Sequence, residues 1–239
     1  MRVENAATSA SAGLSTLNPE LSTALWELQT AELIYERTLY PELAYLFKHA
    51  LTHEAAYSSL LVARRKIMHR LVGAAIEVLY TDRLMEQYET LAYHYERAEA
   101  REKALEYLQK SGEKALAAFA PQQAVNFYDR ALALLERPGQ RLAPERLIAL
   151  RFGRGQALFQ TNQWDQSVAS FEAMREAAQA AGDRVQEGIA LVQAATVHLY
   201  AHSFEAAHDC AQRARDLAVR THNSSTLAGS LYVLGGLDS

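Results

Sequence analysis

From about residue 82 onward, apolar residues recur three and four positions apart, in stretches broken by short polar or Pro/Gly segments. That period is the signature of amphipathic helices, each with one face to bury. The breaks predict helices beginning near 82, 101, 121, 144, 164, 184, 204 and 224. Arg137-Pro138-Gly139-Gln140 stops one helix, and Pro144 suits the first turn of the next. Gly182-Asp183 gives a stop followed by a cap, and Asn223-Ser224 gives a further cap.

The helical pattern also repeats itself. Gln163-Trp164-Asp165-Gln166-Ser167 aligns with Ser203-Phe204-Glu205-Ala206-Ala207, forty residues later. In the same register Phe171 falls on Ala211, Met174 on Ala214, and Gly155 on Ala195 and then Gly235. Small residues in a fixed register mark places where paired helices cross closely, with large side chains filling the gaps beside them. A generic amphipathic bundle needs no such register. The spacing resembles the tetratricopeptide repeat, most fully at Tyr88, Leu91, Ala92, Tyr95, Ala104, Leu108 and Ser111, with a half-match at Ala124, Tyr128 and Ala131. The forty-residue period exceeds the usual repeat of about 34. The step from Ala104 to Ala124 is half of it, so the helix near 101–117 is read as shared between two pairs. The sequence stops inside a helix that would open a further repeat, which reads as a truncated last repeat.

The N-terminal third lacks the repeat. A helix from Pro19 is followed by Leu33-Ile34-Tyr35-Glu36-Arg37, rich in β-formers. Tyr40-Pro41-Glu42 can turn the chain, and Ala44-Tyr45-Leu46-Phe47-Lys48 can return as a partner strand. Two helices follow, over about 52–60 and 62–80. A helix and then a hairpin is the second half of a winged-helix domain. The expected organisation is a disordered leader over 1–18, a winged-helix-like remnant with linking helices over 19–80, and repeats over 81–239. The fold class is all-α, a right-handed helical solenoid of tetratricopeptide type with room for one short β-hairpin.

Residues Ala31 to Arg37, the run Phe47-Lys48-His49-Ala50-Leu51-Thr52, and Ala56-Tyr57, Ser59-Leu60-Leu61, Arg64-Arg65 and His69 resemble a bacterial multidomain family. Its members join a class III adenylate or guanylate cyclase domain to a signal-transduction ATPase and then to tetratricopeptide repeats. The resemblance covers about 23–136 and implies the regulatory arm of such a protein, which would pair with an upstream domain of its parent chain. Neither enzymatic part is present in this sequence. There is no G-x4-G-K-[ST] loop to cradle nucleotide phosphates; Gly153-Arg154-Gly155 is too short and sits inside a repeat helix. No paired-aspartate cyclase centre occurs either.

Composition narrows the field. Glycine (11) and proline (5) are scarce, and the net charge of −4 argues against a protein built mainly to grip nucleic acid. One cysteine, Cys210, allows no internal disulfide and reads as a small packed residue. No apolar run reaches membrane-spanning length, and the first residues lack a secretory apolar core. A cytoplasmic setting is the expectation by elimination.

His49 with His53, and His198 with His202, stand four apart but lack a third ligand at fixed spacing, so no metal and no cofactor are expected. No catalytic residue is assigned. The most basic stretch, Arg64 to Arg70, reads as a solvated face or an interdomain contact through Arg64, Arg65 and Arg70. Nucleic-acid binding through this half wing is the rival reading. The strongest candidate site is the concave groove of the solenoid, where a protein or peptide would bind. Its projected lining is Tyr93, Glu96, Arg97, Phe152, Gln156, Phe159, Val192, Thr196, Tyr200 and Tyr232: aromatic and polar, with little positive charge.

Overall fold

Helices dominate because alanine and leucine supply propensity while the apolar stripes supply surfaces to bury. The computed structural model describes residues 19–39, 42–135 and 143–237. The expected leader, the turn at Tyr40-Pro41 and the breaker Arg137-Pro138-Gly139-Gln140 lie outside the described residues. The chain divides into two units, 1–65 and 66–239.

The first unit opens with α1 (Pro19–Thr30), then strands β1 (Ile34–Leu39) and β2 (Glu42–Phe47), then α2 (Ala50–Ser59). The strands pair antiparallel with Ile34 opposite Phe47 and Glu36 opposite Tyr45. The hairpin expected from the β-forming runs is therefore present. Ile34 is buried, and Phe47 meets His53 of α2 edge to face at 5.1 Å between ring centroids.

The second unit holds most of α3 (Val62–Leu79), a 3-10 turn (Thr81–Gln87), and then α4 (Tyr88–Arg97), α5 (Arg101–Ala117), α6 (Pro121–Leu135), α7 (Pro144–Gln160), α8 (Trp164–Ala181), α9 (Arg184–Tyr200), α10 (Phe204–Thr221) and α11 (Ser224–Leu237). From 101 onward every helix starts where the sequence breaks place it. The turns share one construction. Residues Glu99, Phe119, Asn162, Gly182, His202 and His222 adopt positive φ, and the following amide reaches back to the helix before it, as in Gln163 to Leu158 (3.0 Å) and Asp183 to Ala178 (2.9 Å).

Aromatic knobs over glycines set the register of the pairs. A Cβ on Gly155 would lie 2.6 Å from the ring of Phe171, and one on Gly112 would lie 2.7 Å from the ring of Tyr128. In both cases the glycine precedes the ring by sixteen residues, so α5–α6 and α7–α8 are equivalent pairs. Ala195 and Ala211, both fully buried, hold the same positions in α9–α10. Gly73 of α3 lies under Tyr95 of α4 in the same manner, with the intervening 3-10 turn lengthening the spacing. Leu91 and Tyr95 thus face both α3 and α5, and α4, which the motif reading took as a first helix, lies in the layer of second helices beside α6. The reason is chemical ambiguity: Leu-Ala-x2-Tyr satisfies the small-and-large rule of either helix. Helix α5 packs against both α4 and α6, as the shared helix of the sequence reading should, and Glu96 of α4 pairs with Arg130 of α6, which sets α4 in the layer of second helices.

One continuous core runs under these pairs, from Leu91, Tyr107 and Tyr128 through Leu150 and Leu158. A second, around Phe171, Met174, Ala194 and Val197, reaches Val233 of α11. Ser167 donates its hydroxyl to the carbonyl of Gly155 (2.8 Å), which ties α8 to α7 at the crossing itself.

Candidate functional site

First helices of successive pairs stand side by side, and their shared surface carries the candidate groove. Two clefts open between α7 and α9. The first, of about 360 Å³, is lined by Ile148, Phe152 and Ile189 with Glu145, Asp183 and Gln186 at its end. The second, of about 240 Å³, is lined by Gln156, Phe159, Gln160, Gln193 and Thr196, with Leu116 reaching in from α5 and Phe171 and Val197 forming the floor.

Phe159 is held in place by its neighbours. Its ring meets Trp164 at 5.4 Å and Tyr200 at 5.2 Å, both edge to face, a geometry aromatic quadrupoles favour. Phe152 meets Phe171 at 6.2 Å in the same way. The Thr196 hydroxyl donates to the carbonyl of Val192 (2.8 Å) and so presents its methyl and oxygen from a fixed rotamer. Phe152, Gln156, Phe159, Thr196 and Tyr200 are therefore brought to one surface. Tyr200 is exposed at its rim.

Other projected residues fall elsewhere. Val192 packs onto α11, where a Cβ on Gly229 would lie 2.8 Å from its Cγ1, so it serves the contact between first helices. Tyr232, 71% exposed, stands on α11 and lines neither cleft. Tyr93, Glu96 and Arg97 belong to α4, a second helix, and do not join the others. The guanidinium of Arg97 lies over the Tyr93 ring at 4.8 Å, and Glu96 pairs with Arg130 of the neighbouring second helix α6. Beside them His69 and His94 face each other, Nδ1 to Nδ1, at 3.0 Å. Burial holds both imidazoles below their ordinary value, reinforced at His69 by the charge of Arg97 and at His94 by His69.

Of the basic stretch, Arg64 and Arg70 are exposed, whereas Arg65 lies over the Tyr57 ring at 5.1 Å. That stacking keeps its charge partly shielded by an aromatic face. Glu77 of α3 accepts hydrogen bonds from Lys103 (2.9 Å) and from Tyr107. Burial alone would raise its carboxyl, but the bonds from Lys103, Tyr107 and Tyr95 outweigh it and hold it below the usual range. This network ties α3 to α4 and α5. Among the described residues no helix is long and apolar enough to cross a membrane.

Sequence reasoning missed Leu116, Gln160 and Gln193 in the second cleft. Leu116 was legible in principle: Gly112 precedes Tyr128 by the same sixteen residues as Gly155 precedes Phe171, which marks α5 as a first helix. Gln160 follows Gln156 by one helical turn, a further signal on the same face.

These pairs define an all-α helical solenoid of tetratricopeptide-like construction. No protein-family model matches the chain. No curated protein matches it either. Among solved structures, it is similar to BtubC (BKLC) from P. vanneervenii, with a TM-score of 0.50 and 11% identity over 75% of this chain and 87% of that one. At that identity the likeness bears on the fold alone. Two further structures, the MamA RS-1 ArsTM double mutant and MamA 41-end from Desulfovibrio magneticus RS-1, each match with a TM-score of 0.41 and 18% identity, over 74% of this chain and 97% of theirs.

Proposed function

We propose that this chain is a protein-interaction scaffold that takes a partner segment along the surface shared by α7 and α9. The observation that carries the reading is the convergence of Phe152, Gln156, Phe159 and Thr196 on two adjoining clefts, with Phe159 braced by Trp164 and Tyr200. Rigid aromatic side chains on stacked helices offer contact area at little entropic cost, as binding surfaces require.

The Phe47-to-Thr52 run and its flanking residues support a finer reading, in which the scaffold is the regulatory arm of a larger signalling ATPase or cyclase. The partner is then an upstream domain or an effector of the same system. It acts by favouring one arrangement of the arm over another, with differential affinity as the driving free energy. Two measurements test this. Affinity capture with the full chain and with a Phe159→Arg variant of unchanged circular dichroism should recover a partner only with the former. Equal recovery by both removes the groove from the function. For the signalling arm, the reading frame preceding Met1 should encode a phosphate-binding loop, and a frame without one ends that part of the proposal.

A further inference from the structure

Three carboxamides, Gln156, Gln160 and Gln193, converge on the cleft beside Phe159, and none makes a hydrogen bond within the described residues. No charged side chain among the described residues lines that cleft. Its neighbour carries Glu145 and Asp183 at one end and, among the described residues, is lined by no lysine or arginine. A carboxamide presents two N–H donors and a carbonyl acceptor in one plane, the complement of a peptide unit's own C=O and N–H. A charged ligand entering here would be desolvated without a counter-charge, which is costly, and a carboxylate at the first cleft would face like charge. The second cleft, at about 240 Å³, is smaller than the roughly 300–1,000 Å³ of a small-molecule pocket and suits a single apolar side chain. Phe152 and Phe159 are seven residues apart on α7, about 10 Å along the helix, or about three residues of polyproline II chain, whose side chains return to one face every third residue.

We propose that the groove recognises a polypeptide segment in the polyproline II conformation, free of acidic residues, with two apolar side chains three positions apart. One enters beside Phe152 and Ile189 and the other beside Phe159 and Leu116, while Gln156 and Gln193 read the backbone amides between them and Gln160 reads those beyond the second. This rests on the scaffold reading above and names the chemistry of its partner. Backbone pairing supplies affinity and the two clefts supply register, the division of labour seen when extended peptides dock.

The test is selection of a displayed library of random short peptides on the full chain, with the Phe159→Arg variant as counter-selection. Winning peptides are then titrated by fluorescence anisotropy. The expected winners lack Asp and Glu and carry apolar residues three apart. Their affinity should fall about tenfold in a Gln156→Ala/Gln193→Ala double variant, or when an intervening peptide amide is N-methylated. It should hardly change between about 0.05 and about 0.5 M salt. The two glutamines make no internal hydrogen bond, so their loss leaves the fold intact. Winners rich in Asp or Glu, binding that collapses with salt, or affinity untouched by the glutamine variant would overturn this inference while leaving the groove in use. A selection that returns nothing specific to the wild-type chain would overturn both it and the scaffold reading.

Discussion

Gly155→Ala and Gly235→Ala place the same methyl group at the same register position of two repeats, yet the structure assigns them opposite signs. At Gly155 the new Cβ would lie 2.6 Å from two atoms of the Phe171 ring and 2.9 Å from a third. Ordinary contact begins near 3.4 Å, so the ring must retreat by about 0.8 Å. Phe171 is only 1% exposed and is enclosed by Phe152 and Met174, so it has no open space to retreat into. Overpacking of this kind costs about 1–3 kcal/mol. Replacing glycine by alanine inside a helix returns about 1 kcal/mol. The net expectation is a loss of up to about 2 kcal/mol, or a fall in Tm of up to about 8 °C. At Gly235, among the described residues, no atom beyond its chain neighbours and its own helix backbone lies within 4 Å of the new methyl, so only the propensity gain remains and Tm should hold or rise. A second-site change separates sterics from other causes. The next pair carries Ala195 and Ala211 at these two positions, which shows that alanine is accommodated when the facing residue is small. Phe171→Leu in the Gly155→Ala background should therefore recover part of the loss, giving a coupling energy in a double-mutant cycle. Thermal and urea unfolding followed by circular dichroism read all four proteins. A Tm for Gly155→Ala above wild type, or strictly additive effects, would refute the crossing geometry.

Phe119 is 90% exposed and held at a φ of 55° in the α5–α6 turn, so Phe119→Gly should stabilise the chain by up to about 1 kcal/mol, measured as a rise in the urea midpoint. Asp183 accepts from the amides of Val185 (3.1 Å) and Gln186 (3.0 Å) at the start of α9, so Asp183→Ala should cost about 1 kcal/mol; an unchanged midpoint would discount the cap. His69 and His94 have folded values below their unfolded 6.5, so the unfolded chain binds more protons under mildly acid conditions. Their contribution is complete above about pH 6.5 and is lost as pH falls through their lowered folded values. A series of Tm values across that range should show the decline, and a His94→Gln variant should flatten it.

The sequence by itself determined the class of fold and most of the helix boundaries. Helical periodicity, scarce glycine and proline, and caps such as Gly182-Asp183 are local physics, and every helix from 101 onward begins where they say. The hairpin was legible from β-forming runs on either side of a turn. What local pattern could not decide was which helix pairs with which. Leu91-Ala92 with Tyr95 fits either helix of a pair, and only contacts distant in sequence, such as Glu96 with Arg130, set α4 in the layer of second helices. That single choice moved Tyr93, Glu96 and Arg97 away from the groove and brought Leu116 into it. The cleft itself is likewise a tertiary product. Gln156, Gln160 and Gln193 are ordinary polar residues along the chain, and they meet only because Gly155 lets Phe171 approach closely enough to stack α7 and α8 beneath them. Register within a helix follows from residues three and four apart, whereas register between helices depends on contacts that no single stretch of chain contains.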